Sequence, residues 1–190
     1  MVGCFIIMFA KFELKDQIKF LRKCKVKTGF SGMTGNKGSV AIRFNYEDTS
    51  FAFVNVHLES GQKQTAERLE NVRQIYNETF EDFSVFNTQE KCFHDYKCLF
   101  GDMNFRVELP NIEVRQLIEQ KNYNRLHLHD QLLMSKAQNV ILNRFHEAPL
   151  NFDPTYKYDH DCDAYDTSKK MRIPAYCDRI LFSRDPQFKK

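Results

Sequence analysis

Cysteine pairs are missing from this 190-residue sequence, which has six cysteines but no C-x-x-C spacing. Several of the six lie in apolar runs, where a free thiol packs as a small hydrophobic group. Long hydrophobic runs are missing too, because residues 5–10 are far too few to cross a bilayer and no basic segment precedes them. These absences argue against a disulfide framework or a membrane span and predict a cytoplasmic location.

Net charge of one sign is also lacking, since 28 Lys and Arg residues against 25 Asp and Glu residues leave a formal charge of +3. The charge is uneven, however, because residues 11–38 carry eight basic residues and two acidic ones, Glu13 and Asp16. This local excess suits a phosphate-rich partner, either a lipid head group or a nucleic acid. A solvated strand face explains the same residues equally well.

Strands and helices are predicted to alternate along the chain, because the period of the apolar residues changes repeatedly. The helix predicted over residues 64–83 places Leu69, Val72 and Ile75 on its apolar face and Glu and Arg residues on the opposite face. Alternating strands and helices predict a layered α/β or α+β fold. Strands are expected at residues 2–10, 18–27, 40–44, 51–58, 93–100 and 179–182, further helices at 111–120 and 123–137, and loops at 29–38 and 152–172.

Asp102 and Asn104 follow an apolar strand and a glycine. Two residues apart on extended backbone, their side chains can point to the same side. A carboxylate and an amide at a strand end are able to hold a water molecule beside a phosphoryl oxygen. Taken alone the pair is also explained by a turn, which Asp and Asn both favour.

His57 and the glycine-rich segment before it are further candidates. His57 lies at the end of a predicted strand with Asn55 on the same face, which fits either a catalytic residue or a satisfied core histidine. The glycine-rich segment places Asn36 and Lys37 among flexible backbone amides, an arrangement suited to phosphate. It is not a P-loop, because no Ser or Thr directly follows Lys37.

Five motifs occur in one order and together resemble the inositol polyphosphate 5-phosphatases, the synaptojanin-like branch of the endonuclease/exonuclease/phosphatase superfamily. The resemblance extends over essentially the whole chain. Two positions differ from the family's usual motifs: Tyr176 stands where a Trp is usual, and Phe105 stands where a Tyr is usual. Both changes keep an aromatic ring. The motifs are TGFSGMTGNKGSVAIRF (28–44), VNVHL (54–58), GDMNFR (101–106), PTYKY (154–158) and PAYCDRIL (174–181).

The resemblance implies a four-layer α/β sandwich of the DNase I-like type, of which residues 1–190 would be a partial catalytic domain. It implies Mg²⁺-dependent removal of the 5-phosphate from phosphoinositide lipids or soluble inositol polyphosphates. Contact with a cytosolic membrane face fits a lipid substrate, and no nucleic acid partner is expected. The family's Gln-Glu motif, whose Glu binds Mg²⁺, an earlier Asn-containing strand motif and a later Ser-Asp-His motif are expected outside this chain, so the metal ligands within it are unknown.

The resemblance also assigns roles to residues. Asp102 would orient and deprotonate the attacking water, Asn104 would hold the water and the phosphate, and His57 would donate to the scissile phosphate. Asp178 resembles the carboxylate that orients a catalytic histidine. Contacts with the head group and its neighbouring phosphate are implied for Asn36, Lys37, Tyr156, Lys157, Lys170 and Arg172.

Two other functions are compatible with the same motifs. The first is a catalytically dead remnant that still binds phosphoinositides through Lys157, Lys170, Arg172 and the basic segment. The second is a nuclease or sphingomyelinase of the same superfamily, which would share the Asp102 and Asn104 pair. The Tyr156-Lys157 motif and the motif around Asp178 are 5-phosphatase features, and they argue against the second alternative.

Overall fold

Five strands pair side by side in chain order in the computed structural model, which describes residues 3–29, 34–80 and 94–184. All neighbouring strands are antiparallel except β3 and β4, which are parallel. A parallel pair needs a crossover connection, and helix α1 lies in the connection between these two strands. The strands are β1 (Ile18–Gly29), β2 (Thr34–Tyr46), β3 (Thr49–His57), β4 (Tyr96–Asp102) and β5 (Asp178–Arg184).

The helices are short, and most of them lie between β4 and β5. None of the helices in the described ranges is long and apolar enough to span a membrane. The α-helices are α1 (Thr65–Glu78), α2 (Asn111–Glu119), α3 (Tyr123–His127) and α4 (Gln131–Lys136), with 3₁₀ turns at Phe12–Gln17 and Leu142–Arg144.

Two apolar clusters form the core, and the larger one holds α1 against the sheet. The larger one joins Val72 and Ile75 of α1 to Val56, Leu99 and further buried residues of the sheet and of the segment after β4. The smaller one lies beneath α2 and α3 and includes residues of the segment that leads into β5. Burial of this apolar surface fixes the strand ends on which the polar motifs lie.

The strands predicted at residues 18–27, 40–44, 51–58 and 179–182 are confirmed, as are the helix at 111–120 and the loop at 152–172. The strand at 93–100 is confirmed as β4, although residue 93 lies outside the described residues. The helix predicted over 64–83 is confirmed as α1 but ends at Glu78, and residues 81–83 lie outside the described part. Of the two sheets that the predicted sandwich contains, the described residues form one.

The strand predicted at residues 2–10 is wrong for the described residues 3–10, which pair with no strand there. The segment contacts β3 instead, because the Asn55 side-chain amide donates to the Phe5 carbonyl at 2.7 Å. Phe9 is 91% exposed, so the segment is not buried on two faces. Residues 3–10 are apolar, but no described strand forms a backbone hydrogen-bond ladder with them.

Three other predictions need correction. The loop at 29–38 becomes strand β2 from Thr34 onwards, while residues 30–33 lie outside the described ranges. The helix at 123–137 is two helices, because Asp130 caps α4 through its carboxylate and the Leu133 amide. Arg68, placed on the polar face of α1, is fully buried, because backbone carbonyls of Glu59 and Gly61 accept its guanidinium hydrogens.

The fold also predicts an acid-sensitive step centred on His94. This buried imidazole lines an apolar cavity beside Phe80, and its Nδ1 has no hydrogen-bond partner among the described residues. Burial, reinforced by the charge of Arg43, lowers the pKa of His94 to about 4. The folded protein therefore binds this proton less readily than the unfolded chain, and stability is lost as pH falls from about 6.5 to about 4.

We expect His94→Leu to flatten this part of the stability profile. The interval between the two pKa values corresponds to roughly 3 kcal/mol of unfolding free energy. Urea unfolding of both proteins at several pH values between 4 and 7 measures the difference. An equal loss of stability in the variant would contradict the assignment.

Candidate active site

Three polar residues lie in one row across the end of the sheet. The register pairs Gly38 with His57, His57 with Asp102, and Asp102 with Asp178. The His57 Nε2 and Asp102 Oδ2 atoms are 3.5 Å apart. Because paired residues of adjacent strands point to the same side, the sheet itself gathers side chains that are far apart in sequence. His57, Asp102 and Asp178 are referred to below as the polar row.

Two glycines permit the close strand contacts at this end of the sheet. Gly38 has φ +135° and Gly101 has φ +118°, both in the region that side chains disfavour. A Cβ on Gly38 would collide with the carbonyl oxygen of Val26, and one on Gly101 would collide with that of Val56. Each glycine is therefore required one residue away from a candidate site residue, Lys37 or Asp102.

The Leu58 carbonyl oxygen joins the predicted residues Lys37 and Asn104. It accepts from Lys37 Nζ at 2.8 Å and from Asn104 Nδ2 at 3.0 Å. Lys37 Nζ also lies 2.8 Å from His57 Nε2. An ammonium group has no acceptor, so Nε2 of His57 accepts this bond and its ring proton is on Nδ1. The backbone N–H of Asn104 in turn donates to Asp102 Oδ1 at 3.0 Å.

Arg106 extends this network behind Asn104. Its Nη2 donates to Asn104 Oδ1 at 2.6 Å and its Nε donates to the Asn104 carbonyl at 2.9 Å. The guanidinium lies 4.3 Å from the centre of the Tyr156 ring, a cation–π distance. Gln131 accepts from both the Arg106 amide and the Arg68 guanidinium. The network is therefore continuous from α4 to the polar row.

Three buried cations in this network have no carboxylate partner among the described residues. Lys37 is 7% exposed, Arg106 4% and Arg68 0%, and no described carboxylate oxygen lies within 4.0 Å of any of them. They are held by carbonyls, side-chain amides, a hydroxyl and one imidazole nitrogen. Neutral partners do not cancel the charge of these groups, and the Glu59 and Asp102 carboxylates act on Lys37 and Arg68 only from beyond 4.0 Å, so the site can attract an anion.

Arg179 shows the opposite arrangement in the same chain. It is also buried, but its guanidinium binds Asp130 at 2.9 Å and Glu147 at 2.7 Å. A buried arginine with two carboxylates is electrically compensated, which is typical of a structural ion pair. Within the described residues, Lys37, Arg68 and Arg106 are therefore not paired in the way that the structural ion pair of Arg179 is.

Burial and neighbouring charges shift several pKa values in the site. Burial and the charge of Lys37 lower the pKa of His57, although Asp102 opposes them, so the imidazole is neutral near pH 7. Burial and the adjacent Asp102 carboxylate raise the pKa of Asp178. Burial, with the charge of Arg106, lowers the pKa of Arg68 to about 10. The shift at Arg68 reflects its burial first and the like charge of Arg106 second.

The predicted phosphate-binding residues are only partly brought together. Tyr156 and Arg172 adjoin the network, because Arg172 Nη1 donates to the Tyr156 hydroxyl at 3.3 Å. The Lys157 and Lys170 side chains are exposed, and in the described part of the chain no hydrogen bond or ion pair joins them to the polar row. Asn36 is exposed as well, and its Oδ1 accepts from the Thr34 hydroxyl.

The side chains of the described ranges do not form a complete metal site. No group of three or more His, Cys, Asp or Glu residues there is placed to hold one ion. His57, Asp102 and Asp178 share the row but do not converge on a common point. The expectation that further metal ligands lie outside this chain stays a prediction.

Sequence reasoning missed the residues behind the row. Arg106 was seen only as part of a motif, Arg68 was placed on a solvated face, and Gln131 was not singled out. One signal was available, because Arg68 lies four residues before Val72 and seven before Ile75, on the apolar stripe of α1. The role of Gln131 depends on contacts between distant segments and leaves no local pattern.

The chain resembles phosphatases in sequence and in structure. The family model described as endonuclease/exonuclease/phosphatase family 2 matches residues 1–190. Human synaptojanin-2 is 42% identical over 84% of this chain, which corresponds to 10% of that protein. Inositol-1,4,5-trisphosphate 5-phosphatase 1 of Schizosaccharomyces pombe is 40% identical over 96% of this chain and 16% of its own length. The chain thus spans a small part of each relative.

A solved structure confirms the fold class. The inositol polyphosphate 5-phosphatase domain of SPsynaptojanin, in complex with inositol (1,4)-bisphosphate and a calcium ion, superimposes with a TM-score of 0.81 at 39% identity. The match covers 91% of this chain and 49% of that chain. The mixed sheet with its helices is therefore part of the DNase I-like layered fold that the sequence predicts.

The unpaired charge of Lys37 predicts an unusual response to substitution. We expect Lys37→Met to raise the unfolding free energy by about 0.5–2 kcal/mol, because it removes a buried cation that lacks a carboxylate. The Leu58 carbonyl keeps its bond from Asn104, and His57 Nε2, which loses its donor, belongs to a side chain that is 31% exposed and therefore open to water. Denaturant unfolding measures the change, with the exposed Lys27→Met as the matched control that should stay within about 0.5 kcal/mol. A loss of stability in Lys37→Met larger than in the control would contradict this view of the site.

Proposed function

We propose, on the premise that this chain belongs to the endonuclease/exonuclease/phosphatase family, that it binds an inositol phosphate beside the polar row and takes part in hydrolysis of the 5-phosphate. The substrate class is a phosphoinositide lipid or a soluble inositol polyphosphate. The names of the relatives and the inositol (1,4)-bisphosphate bound to the structural neighbour support this class. A lipid substrate would bring the chain to a cytosolic membrane face.

The observation that carries the proposal is the set of three buried cations, Lys37, Arg68 and Arg106, for which the described residues provide no carboxylate within 4.0 Å. A phosphate dianion supplies the missing negative charge. In phosphoryl transfer, fixed positive groups stabilise the charge spread over the phosphoryl oxygens in the transition state. Lys37 is the cation nearest to the polar row, and Arg106 and Arg68 strengthen the field from behind it.

Asp102 is the proposed base for the attacking water. Its Oδ1 accepts from the backbone N–H of Asn104, and this bond fixes the carboxylate. Its Oδ2 faces His57. A fixed carboxylate at the end of a strand can orient a water molecule and accept its proton as the P–O bond breaks. Asn104 is proposed to hold the water or a phosphoryl oxygen through the second N–H of its carboxamide, since the first is donated to the Leu58 carbonyl.

His57 and Lys37 are the two candidate hydrogen-bond donors to the scissile phosphate. Nε2 of His57 accepts from Lys37, so the ammonium is the donor of this pair in the structure. An arriving phosphate oxygen can take up a hydrogen bond from Lys37 directly. For Nε2 of His57 to donate to the phosphate, the phosphate must separate His57 from Lys37. The negative charge of the phosphate would then favour protonation of the imidazole.

The remaining predicted residues are proposed to hold the substrate. Tyr156 and Arg172 form the part nearest to the network, and Lys157 and Lys170 would close on a neighbouring ring phosphate. Asn36 would contact the head group. Arginine suits this role because its planar donors match phosphate oxygens.

A divalent cation, proposed to be Mg²⁺, completes the activity. The calcium ion in the structural neighbour is consistent with a metal requirement. Such an ion supplies charge neutralisation at a phosphoryl oxygen. The described side chains do not fit a complete metal site, so the ion would need further ligands, and the roles proposed for Asp102, Asn104 and His57 follow from contacts within this chain.

One alternative has an observation in its favour. Because the described residues lack a full metal-ligand set, the chain would act as a phosphoinositide-binding remnant without turnover. Its cation set would then bind the head group, and Asp102 would be dispensable.

Phosphate release distinguishes the two functions. We expect the chain to release phosphate from inositol 1,4,5-trisphosphate or a short-chain 5-phosphorylated lipid in the presence of Mg²⁺. Asp102→Asn, which keeps the shape but removes the base, should lower the rate by about 10²–10⁴-fold. Asp48→Asn, in the exposed turn at the opposite end of β3, is the matched control and should leave the rate unchanged.

Absence of turnover together with retained, Asp102-independent binding would overturn the hydrolase and support the binding remnant. Turnover that is insensitive to Asp102→Asn would contradict the assigned base. Chelation of the metal with EDTA should abolish turnover, and activity that survives it would contradict the Mg²⁺ requirement.

A further inference from the structure

The first turn of α4 touches both polar motifs from behind. Asp130 is the N-cap of this helix, and Gln131 is its first residue. Both side chains are buried, with exposures of 0% and 3%. Gln131 contacts Arg106, which binds Asn104, and Asp130 contacts Arg179, which follows Asp178 in sequence. Two adjacent residues of α4 therefore support the end of β4 and the start of β5.

Gln131 uses all of its hydrogen-bonding capacity. Oε1 accepts from Arg68 Nη2 at 2.6 Å and from the Arg106 amide at 2.8 Å. Nε2 donates to the Gln62 carbonyl at 2.9 Å and to Glu108 Oε1 at 3.1 Å. The Gln131 amide also donates to the Arg106 carbonyl at 2.9 Å. The backbone of Arg106 is therefore held at both its N–H and its C=O by one residue.

Arg106 in turn decides how the Asn104 carboxamide points. Its guanidinium donates to Oδ1 of Asn104, and the Leu58 carbonyl accepts from Nδ2. A donor on one side and an acceptor on the other allow only one of the two amide orientations. Asn104 has φ +56°, so its backbone is held in a conformation that needs support from its neighbours.

Asp130 makes the equivalent contact on the β5 side. Both of its carboxylate oxygens accept from Arg179 Nη1, at 3.0 and 2.9 Å. Arg179 directly follows Asp178, so the same helix turn fixes the start of β5 and the loop after β4. The distance between Asn104 and Asp178 is thereby set from one place.

We propose that Gln131 is a positioning residue of the active site, which acts through Arg106 to fix the carboxamide of Asn104. The inference rests on the proposed function, in which Asn104 holds the attacking water and the phosphate. Gln131 itself does not touch the polar row. It transmits order from α4 through two hydrogen-bonded groups, as residues behind metal and catalytic ligands do.

Three variants separate positioning from general stability. Gln131→Met keeps the length of the side chain but removes both acceptor and donor. Gln131→Glu combined with Glu108→Gln keeps the acceptor for both arginines and reverses the bond to position 108, so that only the half-buried Gln62 carbonyl loses its donor. Leu132→Val, a core change in the same helix turn outside the network, is the matched control for lost packing.

The primary measurement is the NMR signal of the Asn104 side-chain NH₂ group in protein without substrate. We expect shifted or exchange-broadened Asn104 signals in Gln131→Met, near wild-type signals in the Gln131→Glu/Glu108→Gln variant, and unchanged signals in Leu132→Val. Turnover should show kcat lowered about 10–100-fold in Gln131→Met with a smaller change in KM. Restoration by the double variant would support positioning.

Unchanged Asn104 signals in Gln131→Met, or equal changes in Leu132→Val, would overturn the proposal. If Gln131→Met does not fold, Gln131→Glu takes its place, because its new carboxylate oxygen faces the Glu108 carboxylate and the Gln62 carbonyl. Asn104 signals that change in Gln131→Glu and return in Gln131→Glu/Glu108→Gln would support positioning, and signals unchanged in Gln131→Glu would overturn it. A wild-type chain without turnover would count against the proposed hydrolase, whereas the NMR comparison would still decide the role of Gln131.

Discussion

The parallel register of β3 and β4 is the constraint on which the site depends. It places His57 opposite Asp102, and the antiparallel neighbours then bring Gly38 and Asp178 into the same row. A slip by one residue would turn each of these side chains to the other face of the sheet. The register is fixed by apolar residues on the core face and by the close backbone approach at Gly38 and Gly101.

The chain treats its buried cations in two ways. Arg179 receives two carboxylates and is a structural element of the helix–strand contact. Lys37, Arg68 and Arg106 are held by neutral acceptors, which leaves their field directed at the polar row. Uncompensated buried charge reduces stability, and such charge is found where function needs it. The balance between stability and anion affinity is therefore built into this network.

The sequence predicted most strands and the motif residues, because strand periodicity and motif order are local properties. His57, Asp102 and Asp178 were found this way and do share one row. The sequence could not place residues whose role depends on contacts across the fold. Arg68 was predicted on the polar face of α1, but it is buried because its guanidinium donates to backbone carbonyls of the β3–α1 connection. Residues 3–10 were apolar enough for a strand, but strand formation also needs a partner, which the described residues do not provide.

The central claim is that the unpaired cations form an anion site for an inositol phosphate. Calorimetric titration of this chain with inositol 1,4,5-trisphosphate, in EDTA so that no turnover occurs, tests it most directly. The account predicts binding of one molecule per chain, weakened at least about tenfold by Lys37→Met and unchanged by Lys27→Met, because loss of one charge-assisted hydrogen bond corresponds to about 1.5–3 kcal/mol. Absence of binding, or equal affinity in all three proteins, would contradict it.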